Sequence, residues 1–263
     1  MSLNYAFVAE QIGRLAGPHV RALDFGCGEG QIVAAARALG HDAYGCDTYP
    51  PTWAHMAATA DARDHIRRMD DDGRIPFPDG WFDIVTANQV FEHIPDFAGP
   101  LAEISRVLKP GGLFLNLFPT REVWREGHCD VPFAHRFLAD EHRLRTYLTW
   151  AHRLGFGRGR DKYPAAVWAE GVAVNLRRDC FYKPRREVEA LFARRFEILP
   201  SAEPAWIRHR IGHHRVLRRA QPLFAGRAFD AVFRLASDKL AGRVFVLRKP
   251  ALPHPSGAST IGS

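Results

Sequence analysis

Apolar and polar residues follow two rhythms along this chain. Tyr5, Val8, Ile12 and Leu15 recur at helical spacing before Gly17-Pro18, so an amphipathic helix is expected over Asn4 to Leu15. Val20 to Phe25 is a short apolar run ending in glycines, as a buried strand does. The alternation continues with a helix from Gln31 to Leu39, a strand from Asp42 to Cys46 and a helix from Thr52. A strand is expected around Ile66 to Met69, before the turn signal Asp70-Asp71-Asp72-Gly73. Strand Phe82 to Ala87, helix Phe97 to Leu108 and strand Leu113 to Phe118 follow, with Lys109-Pro110-Gly111-Gly112 read as a turn. Short apolar strands alternating with helices predict an α/β fold with a parallel sheet, whose ligands bind at the carboxyl ends of the strands.

After Pro119 the pattern changes. Residues 120–182 are rich in Arg, His and aromatics and show no clear strand. A helix from Pro184 to Phe192, a strand from Phe196 to Leu199, a basic helical stretch over 203–240 and a last strand from Arg243 to Leu247 complete the reading. The plan is a core over 1–120, a cap insertion over 121–182, completion of the core over 183–250 with a basic helical insertion at about 203–240, and a disordered tail over 251–263.

Composition narrows the class. Apolar residues make up 46% and charged residues 25% of 263, which excludes a disordered, collagen-like or disulfide-scaffold chain. No run approaches the roughly 20 apolar residues of a membrane span. Met1 to Glu10 lacks a basic region followed by an apolar core, so no secretory signal is expected. Cys27, Cys46, Cys129 and Cys180 show no CxxC spacing, which argues for a reducing, cytoplasmic setting and against a structural zinc site. Charge divides the chain: residues 1–120 carry 9 basic and 15 acidic groups, residues 121–263 carry 27 and 14. The basic half could meet phosphate, nucleic acid or an anionic membrane surface, or be a solvated Arg-rich face.

The strongest local signal is Ala22-Leu23-Asp24-Phe25-Gly26-Cys27-Gly28-Glu29-Gly30, a strand running into a glycine loop and a helix. Glycines let backbone turn tightly and approach a ligand closely. The G-x-G-x-G spacing, with Gln31 next and Asp24 two residues before the first glycine, suits a nucleoside-plus-amino-acid ligand better than a pyrophosphate. Three further motifs follow in order. They are Tyr44-Gly45-Cys46-Asp47; Ile75 to Val85 (IPFPDGWFDIV) with Asn88 to Ile94 (NQVFEHI); and Glu103 to Gly112 (EISRVLKPGG).

Over roughly residues 20–120 these motifs resemble the class I S-adenosylmethionine-dependent methyltransferases, most closely those with small-molecule and glycan acceptors. The resemblance implies a Rossmann-like seven-stranded methyltransferase sheet with helical cap insertions, and S-adenosylmethionine as cofactor. It implies that Asp24 helps fix the methionine end, that Gly26, Gly28 and Gly30 pass close to the ligand with Cys27 and Gln31, and that Asn88 and Gln89 flank the methionine portion. Asp47, with Thr48 beside it, follows the second strand at the distance from which a carboxylate accepts both ribose hydroxyls; the alternative is a helix cap. Asp71 is the choice for the adenine amino group, against a plain acidic turn.

Methyl transfer is an in-line displacement that needs proximity, alignment and, for many acceptors, a base. Histidine suits that role. His93 lies just beyond strand four. His128 and His135 sit in Trp124 to Arg136 (WREGHCDVPFAHR), which could fold over the acceptor. A similar pattern occurs in methyltransferases near surface-glycan genes. No metal is assigned: His128, Asp130, His135 and His142 could ligate one ion, but only Asp130 offers Mg²⁺ an oxygen, and the spacing matches no zinc motif. The aromatics Trp150, Phe156, Tyr163, Trp168, Phe181 and Tyr182 either stack on a ring substrate or pack a small cap. Trp206 to Arg219 either touches anionic lipid weakly or is a solvated helix face.

The expected function is methyl transfer to a hydroxyl of a small molecule or glycan, such as a surface-polysaccharide or natural-product sugar, with a phosphate-bearing acceptor suiting the basic half. The alternatives are a nucleic-acid methyltransferase, a dinucleotide-dependent oxidoreductase and a non-catalytic binding protein of the same fold. Strand four ends in Asn88-Gln89-Val90-Phe91 rather than an Asn-Pro-Pro-Tyr type sequence, which argues against nucleic acid. Gln31 in place of glycine argues against a dinucleotide.

Overall fold

The computed structural model describes residues 2–49, 55–56, 64–70, 72–224, 226–240 and 242–251. The helix expected from Thr52, Asp71 and the tail beyond residue 251 lie outside them. Nine strands are described: β1 Arg21–Phe25, β2 Asp42–Asp47, β3 Ile66–Arg68, β4 Phe82–Asn88, β5 Leu108–Phe118, β6 Arg125–Glu126, β7 Val131–Pro132, β8 Glu197–Ile198 and β9 Arg243–Arg248. Seven form one sheet in the order β3-β2-β1-β4-β5-β9-β8. The first five are mutually parallel, and β9 runs antiparallel to both β5 and β8. This is the Rossmann-like methyltransferase fold.

The sheet is buried on both faces because its strands are apolar at consecutive positions. Leu23 and Phe114 face one layer; Ala22 and Leu115 face the other. Helices α1 (Leu3–Ala16) and α2 (Gln31–Ala38) cover one face with Phe7, Ile12 and Val33. Helices α3 (Ala98–Val107) and α6 (Arg185–Ala193) cover the other with Ile104 and Phe192. The cap has a core of its own. Helices α4 (Glu141–Arg153) and α5 (Ala165–Asp179) pack Leu144, Leu148, Trp168 and Leu176 against Cys129 and Val131. Ion pairs Arg177–Glu141 and Arg145–Glu170 tie the two helices together.

Three expectations change. The stretch Lys109 to Gly112 continues β5, which starts at Leu108: Gly111 N–H donates to the Lys249 carbonyl at 3.0 Å and Lys249 N–H to that of Gly112 at 2.9 Å. Proline and glycines there make an irregular strand end, with a register shift between Phe82 and Ile84, rather than a turn. Residues 120–182 do contain strands, but β6 and β7 pair over only two residues, too short to leave a period in the sequence. Helix α7 (Glu203–His213), at the start of the basic insertion, is anchored: Trp206 is 1% exposed and lies 4.9 Å from Phe7. The rest of that insertion, with α8 (Asp230–Leu240), leaves Val216, Leu223, Val232 and Leu235 exposed.

Two of the sequence motifs explain each other. Arg106 donates to the carbonyls of Ile75 (2.8 Å) and Phe77 (2.9 Å) and pairs with Glu103 and Asp79. The fourth motif therefore holds the third in place, beside the aromatic cluster of Tyr44, Phe77, Trp81 and Phe82.

Phe192 is fully buried among Phe91, Phe97, Phe114, Phe118 and Phe245. Phe192→Ala should cost about 3–5 kcal/mol by urea unfolding; a loss below about 1 kcal/mol would mean that α6 does not seal this face.

Candidate functional site

The glycine loop sits at the carboxyl ends of β1 and β4. Gly26, Gly28 and Gly30 all have positive φ (73°, 51° and 74°). A Cβ on Gly26 would stand 2.4 Å from the Val90 side chain, so the loop after β4 can lie against it only at glycine. Gly30, left-handed, caps α2. Gly26 and Cys27 N–H groups donate to the Cys46 carbonyl, which fastens the loop to β2.

Asp47, at the end of β2, closes the arrangement. Its Oδ2 accepts from Gly28 N–H at 2.9 Å and its Oδ1 from Tyr49 N–H at 3.1 Å. Tyr49 then donates its hydroxyl back to the Gly28 carbonyl at 2.9 Å. A carboxylate offers about four lone-pair positions, so two remain on half-buried Asp47 for a ligand. Cys27 is buried beside Tyr49, whereas Gln31 and Thr48 are exposed, Gln31 bonding to Glu29.

Asp24 lies beneath the loop, 4% exposed, and accepts from Thr86 Oγ1 of β4 at 2.8 Å. Burial pushes its carboxyl up to about 7, against the Thr86 hydrogen bond and with the charge of Asp47 adding to the rise. Tyr5 of α1 is within electrostatic reach of Asp24 and Glu29; burial and these carboxylates push its phenol up. At the end of β4, Asn88 Oδ1 is buried with no partner among the described residues. Gln89 is left-handed (φ 57°), a strained conformation for a side-chain-bearing residue, and its N–H donates to the Leu117 carbonyl.

A second polar cluster lies where the cap meets the β4 loop. Glu126, on β6, is fully buried and accepts three hydrogen bonds: from His128 Nδ1 at 2.6 Å, Tyr182 Oη at 2.7 Å and Cys129 N–H at 2.7 Å. Burial opposes its charge, but these donors hold its carboxyl down at about 2. His128 feels the reverse: burial disfavours the cation, and Cys180 and Glu126 override it and raise the imidazole. His128 Nδ1–H thus donates to Glu126, and its imidazole is raised above its ordinary range. The His93 ring stands 5.0 Å from that of His128. His93 Nδ1 lies 2.6 Å from the Asp179 carbonyl, which can only accept. The tautomer with Nδ1–H therefore leaves the lone pair on Nε2, and burial keeps the ring neutral by lowering its pKa. His135 is 3% exposed, stacks on Tyr182 at 4.9 Å and contacts the Arg121 carbonyl through Nε2, an anchor within the cap. Asp130 pairs instead with Arg125, and His142 lies on the outer side of the cap beside Trp150.

The aromatics divide. Trp168 is buried with its Nε1–H on the Arg158 carbonyl, whereas Trp150 (62% exposed), Phe156 and Tyr163 face solvent.

Four residues at these sites escaped the sequence reading. Thr86 carried a signal, being a polar residue inside an apolar strand. Tyr49, Glu126 and Cys180 carried none, because the contacts that bring them into these sites, Tyr49 to Gly28, Glu126 to Tyr182 and Cys180 to His128, are distant in sequence.

The family model described as "Methyltransferase domain" matches residues 23–116. The demethylmenaquinone methyltransferase of Thermus thermophilus is 38% identical over 104 residues, 38% of this chain and 47% of its own length. A probable S-adenosylmethionine-dependent methyltransferase of Mycolicibacterium smegmatis is 36% identical over 119 residues, 45% of this chain and 44% of its own. The ubiquinone biosynthesis O-methyltransferase of Methylococcus capsulatus is 32% identical over 95 residues, 35% of this chain and 40% of its own. The chain thus spans less than half the length of these curated relatives. An S-adenosylmethionine-dependent methyltransferase structure from Mesorhizobium loti covers 94% of this chain and 100% of its own, with a TM-score of 0.53 at 16% identity, a likeness of fold. Among the described residues no helix is long and apolar enough to cross a membrane.

The raised Asp24 carboxyl makes a pH prediction. The folded chain retains a proton that the unfolded chain releases above pH 3.8, so stability falls as pH rises from about 4 to about 7. Asp24→Asn removes this term. Relative to wild type it should gain stability progressively across that window, by about 4 kcal/mol at most, in urea unfolding at stepped pH; a difference independent of pH would contradict the assignment.

Proposed function

We propose that this protein, whose residues 23–116 match a methyltransferase domain, is a class I S-adenosylmethionine-dependent methyltransferase that methylates a hydroxyl of a small molecule or glycan. The observation that carries the reading is the Asp47 clamp on the glycine loop, at the carboxyl edge of the sheet, where Gly26 lies against Val90 of the loop that carries His93. The residues fit the cofactor. Gly26 and Gly28 present bare backbone, Asp47 has lone pairs left for ribose hydroxyls, and Asn88 Oδ1, without a partner among the described residues, can accept from an ammonium group. Asp24, costly as a buried anion, is relieved when a cationic amino acid end arrives above it.

When bound, S-adenosylmethionine supplies a methyl group already activated on sulfur. The chain's own work is then to align an acceptor oxygen and take its proton. His93 does the second, at Nε2, while the Asp179 carbonyl fixes its ring through Nδ1. The Glu126–His128 pair beside it donates to an oxygen of the acceptor and stabilises developing negative charge. An oxygen acceptor is supported by the O-methyltransferase among the relatives. The excess of basic residues after residue 120 suits an acceptor that bears phosphate or another anion.

A screen with methyl-labelled cofactor over phenols, sugars, nucleotide sugars and lipid-linked glycans should find label on an acceptor oxygen. His93→Gln should then lower kcat by about 10²–10⁴ with little change in KM. No transfer to any member of the panel by folded, cofactor-binding protein would contradict the hydroxyl reading, and an unaltered kcat in His93→Gln would remove the base.

A further inference from the structure

The basic insertion after β8 divides into an anchored half and an outward half. Helix α7 turns Trp206 inward onto Phe7. Two residues on, Arg208 faces away from that contact. It donates to the carbonyls of Phe224 and Gly226, both at 2.8 Å, pairs with Asp230 at 2.5 Å and lies over the Phe233 ring. Phe224, Phe229 and Phe233 pack on one another with centroids between 5.2 and 6.1 Å apart. His214 Nδ1 accepts from the N–H groups of Val216 and Leu217. The described residues of 214–240 therefore form a layer built on α7.

That layer packs its aromatic rings together and leaves aliphatic side chains outside. Val216, Leu223 and Leu235 are 69%, 73% and 64% exposed, and Val232 stands one turn from Leu235 on the same side of α8. Exposed apolar residues are ordinary when scattered singly, but grouped ones mark a contact surface. Arginines are interleaved with them. Arg215, Arg218, Arg219, Arg227 and Arg234 are all exposed, and none pairs with an acidic side chain among the described residues. The one acidic residue within 214–235, Asp230, is held by Arg208. A nucleic acid would use the cations, but it is bound through exposed aromatic faces on which bases stack, and the rings of this layer stack on each other instead. An anionic bilayer uses both features: its phosphates meet the guanidinium groups, and aliphatic side chains enter the boundary between headgroups and acyl chains.

We propose that the outer face of this layer, from Val216 to Leu235, docks on the surface of an anionic lipid bilayer. The basic stretch read from the sequence as Trp206 to Arg219 thus has two roles, a core anchor in its first half and a lipid contact in its second. The layer ends beside the glycine loop's edge of the sheet. Helix α8 stops at Leu240, and β9 begins at Arg243 opposite Phe118, the last residue of β5. The Lys239 carbonyl also accepts from the N–H of Trp124, where the cap begins. Docking sets that edge near the lipid surface. It does not rest on the methyl-transfer reading, and its test needs no turnover.

The whole chain is sedimented with vesicles of phosphatidylcholine alone and with vesicles of equimolar phosphatidylcholine and phosphatidylglycerol, and is filtered in parallel with single-stranded RNA. The expected result is binding to the mixed vesicles, weakened by salt, with little binding to phosphatidylcholine. Each arginine near an anionic surface strengthens partitioning roughly fivefold, so the triple variant Arg218→Gln, Arg219→Gln, Arg227→Gln should weaken it roughly 100-fold. The double variant Leu223→Gln, Leu235→Gln keeps the charge and removes aliphatic contact, and should weaken it about tenfold or more. All five side chains are exposed, and circular dichroism confirms that each variant is folded. No binding of folded wild type to the mixed vesicles, or an unchanged affinity in either variant, would overturn the proposal. Salt-sensitive retention of RNA without vesicle binding would overturn it too, and would assign the arginines to nucleic acid.

Discussion

The site depends on one carboxylate holding two backbone N–H groups. Asp47 ends β2 and takes hydrogen bonds from Gly28 and Tyr49, and the Tyr49 hydroxyl returns to the Gly28 carbonyl. That ring of three contacts sets the height of the glycine loop above the sheet. The loop in turn fixes what lies against it. Val90 packs where Gly26 lacks a side chain, and the β4 loop that carries Glu92 and His93 follows from there. A charged acceptor bonded to backbone N–H is roughly twice as strong as a neutral one, which suits Asp47 to this task.

The cap is organised by a second carboxylate under the opposite constraint. Glu126 is wholly buried and remains an anion because three donors surround it. Its partners come from 128, 129 and 182, so the hairpin β6–β7 and the chain leaving α5 close on one point. Asp24 and Glu92, equally buried, have fewer donors and rise to about 7 and about 8. Thus burial raises the Asp24 and Glu92 carboxyls, whereas three donors hold the equally buried Glu126 down. That division suits a site that accepts a cationic cofactor.

Much of the core was legible in the sequence. Strands β1, β2, β4 and β5 announce themselves as short apolar runs, and Asp24, Gly26 and Asp47 sit where the spacing of strand and loop places them. Local chemistry with local partners leaves such traces. The cap did not read in the same way. Its hairpin pairs over two residues, and Glu126, His128 and Cys180 meet across more than 50 positions, so no window contains them together. His128 was legible as a candidate residue, but the rise of its imidazole was not, because Cys180, which with Glu126 raises it, lies 52 positions away. Trp206 shows the converse: a basic, amphipathic-looking stretch begins with a core anchor, since the complementary surface, Phe7, lies at the other end of the chain.

The central claim is that the Asp47-held glycine loop is a cofactor site for S-adenosylmethionine. Calorimetric titration with S-adenosylhomocysteine tests it most directly, beside NAD and an Asp47→Ala variant shown to be folded. The account predicts micromolar binding of S-adenosylhomocysteine, no binding of NAD, and a loss of roughly 100-fold or more in the variant, about 3 kcal/mol for its charge-assisted hydrogen bonds. Absence of binding to folded wild-type protein, or equal affinity in Asp47→Ala, would contradict it.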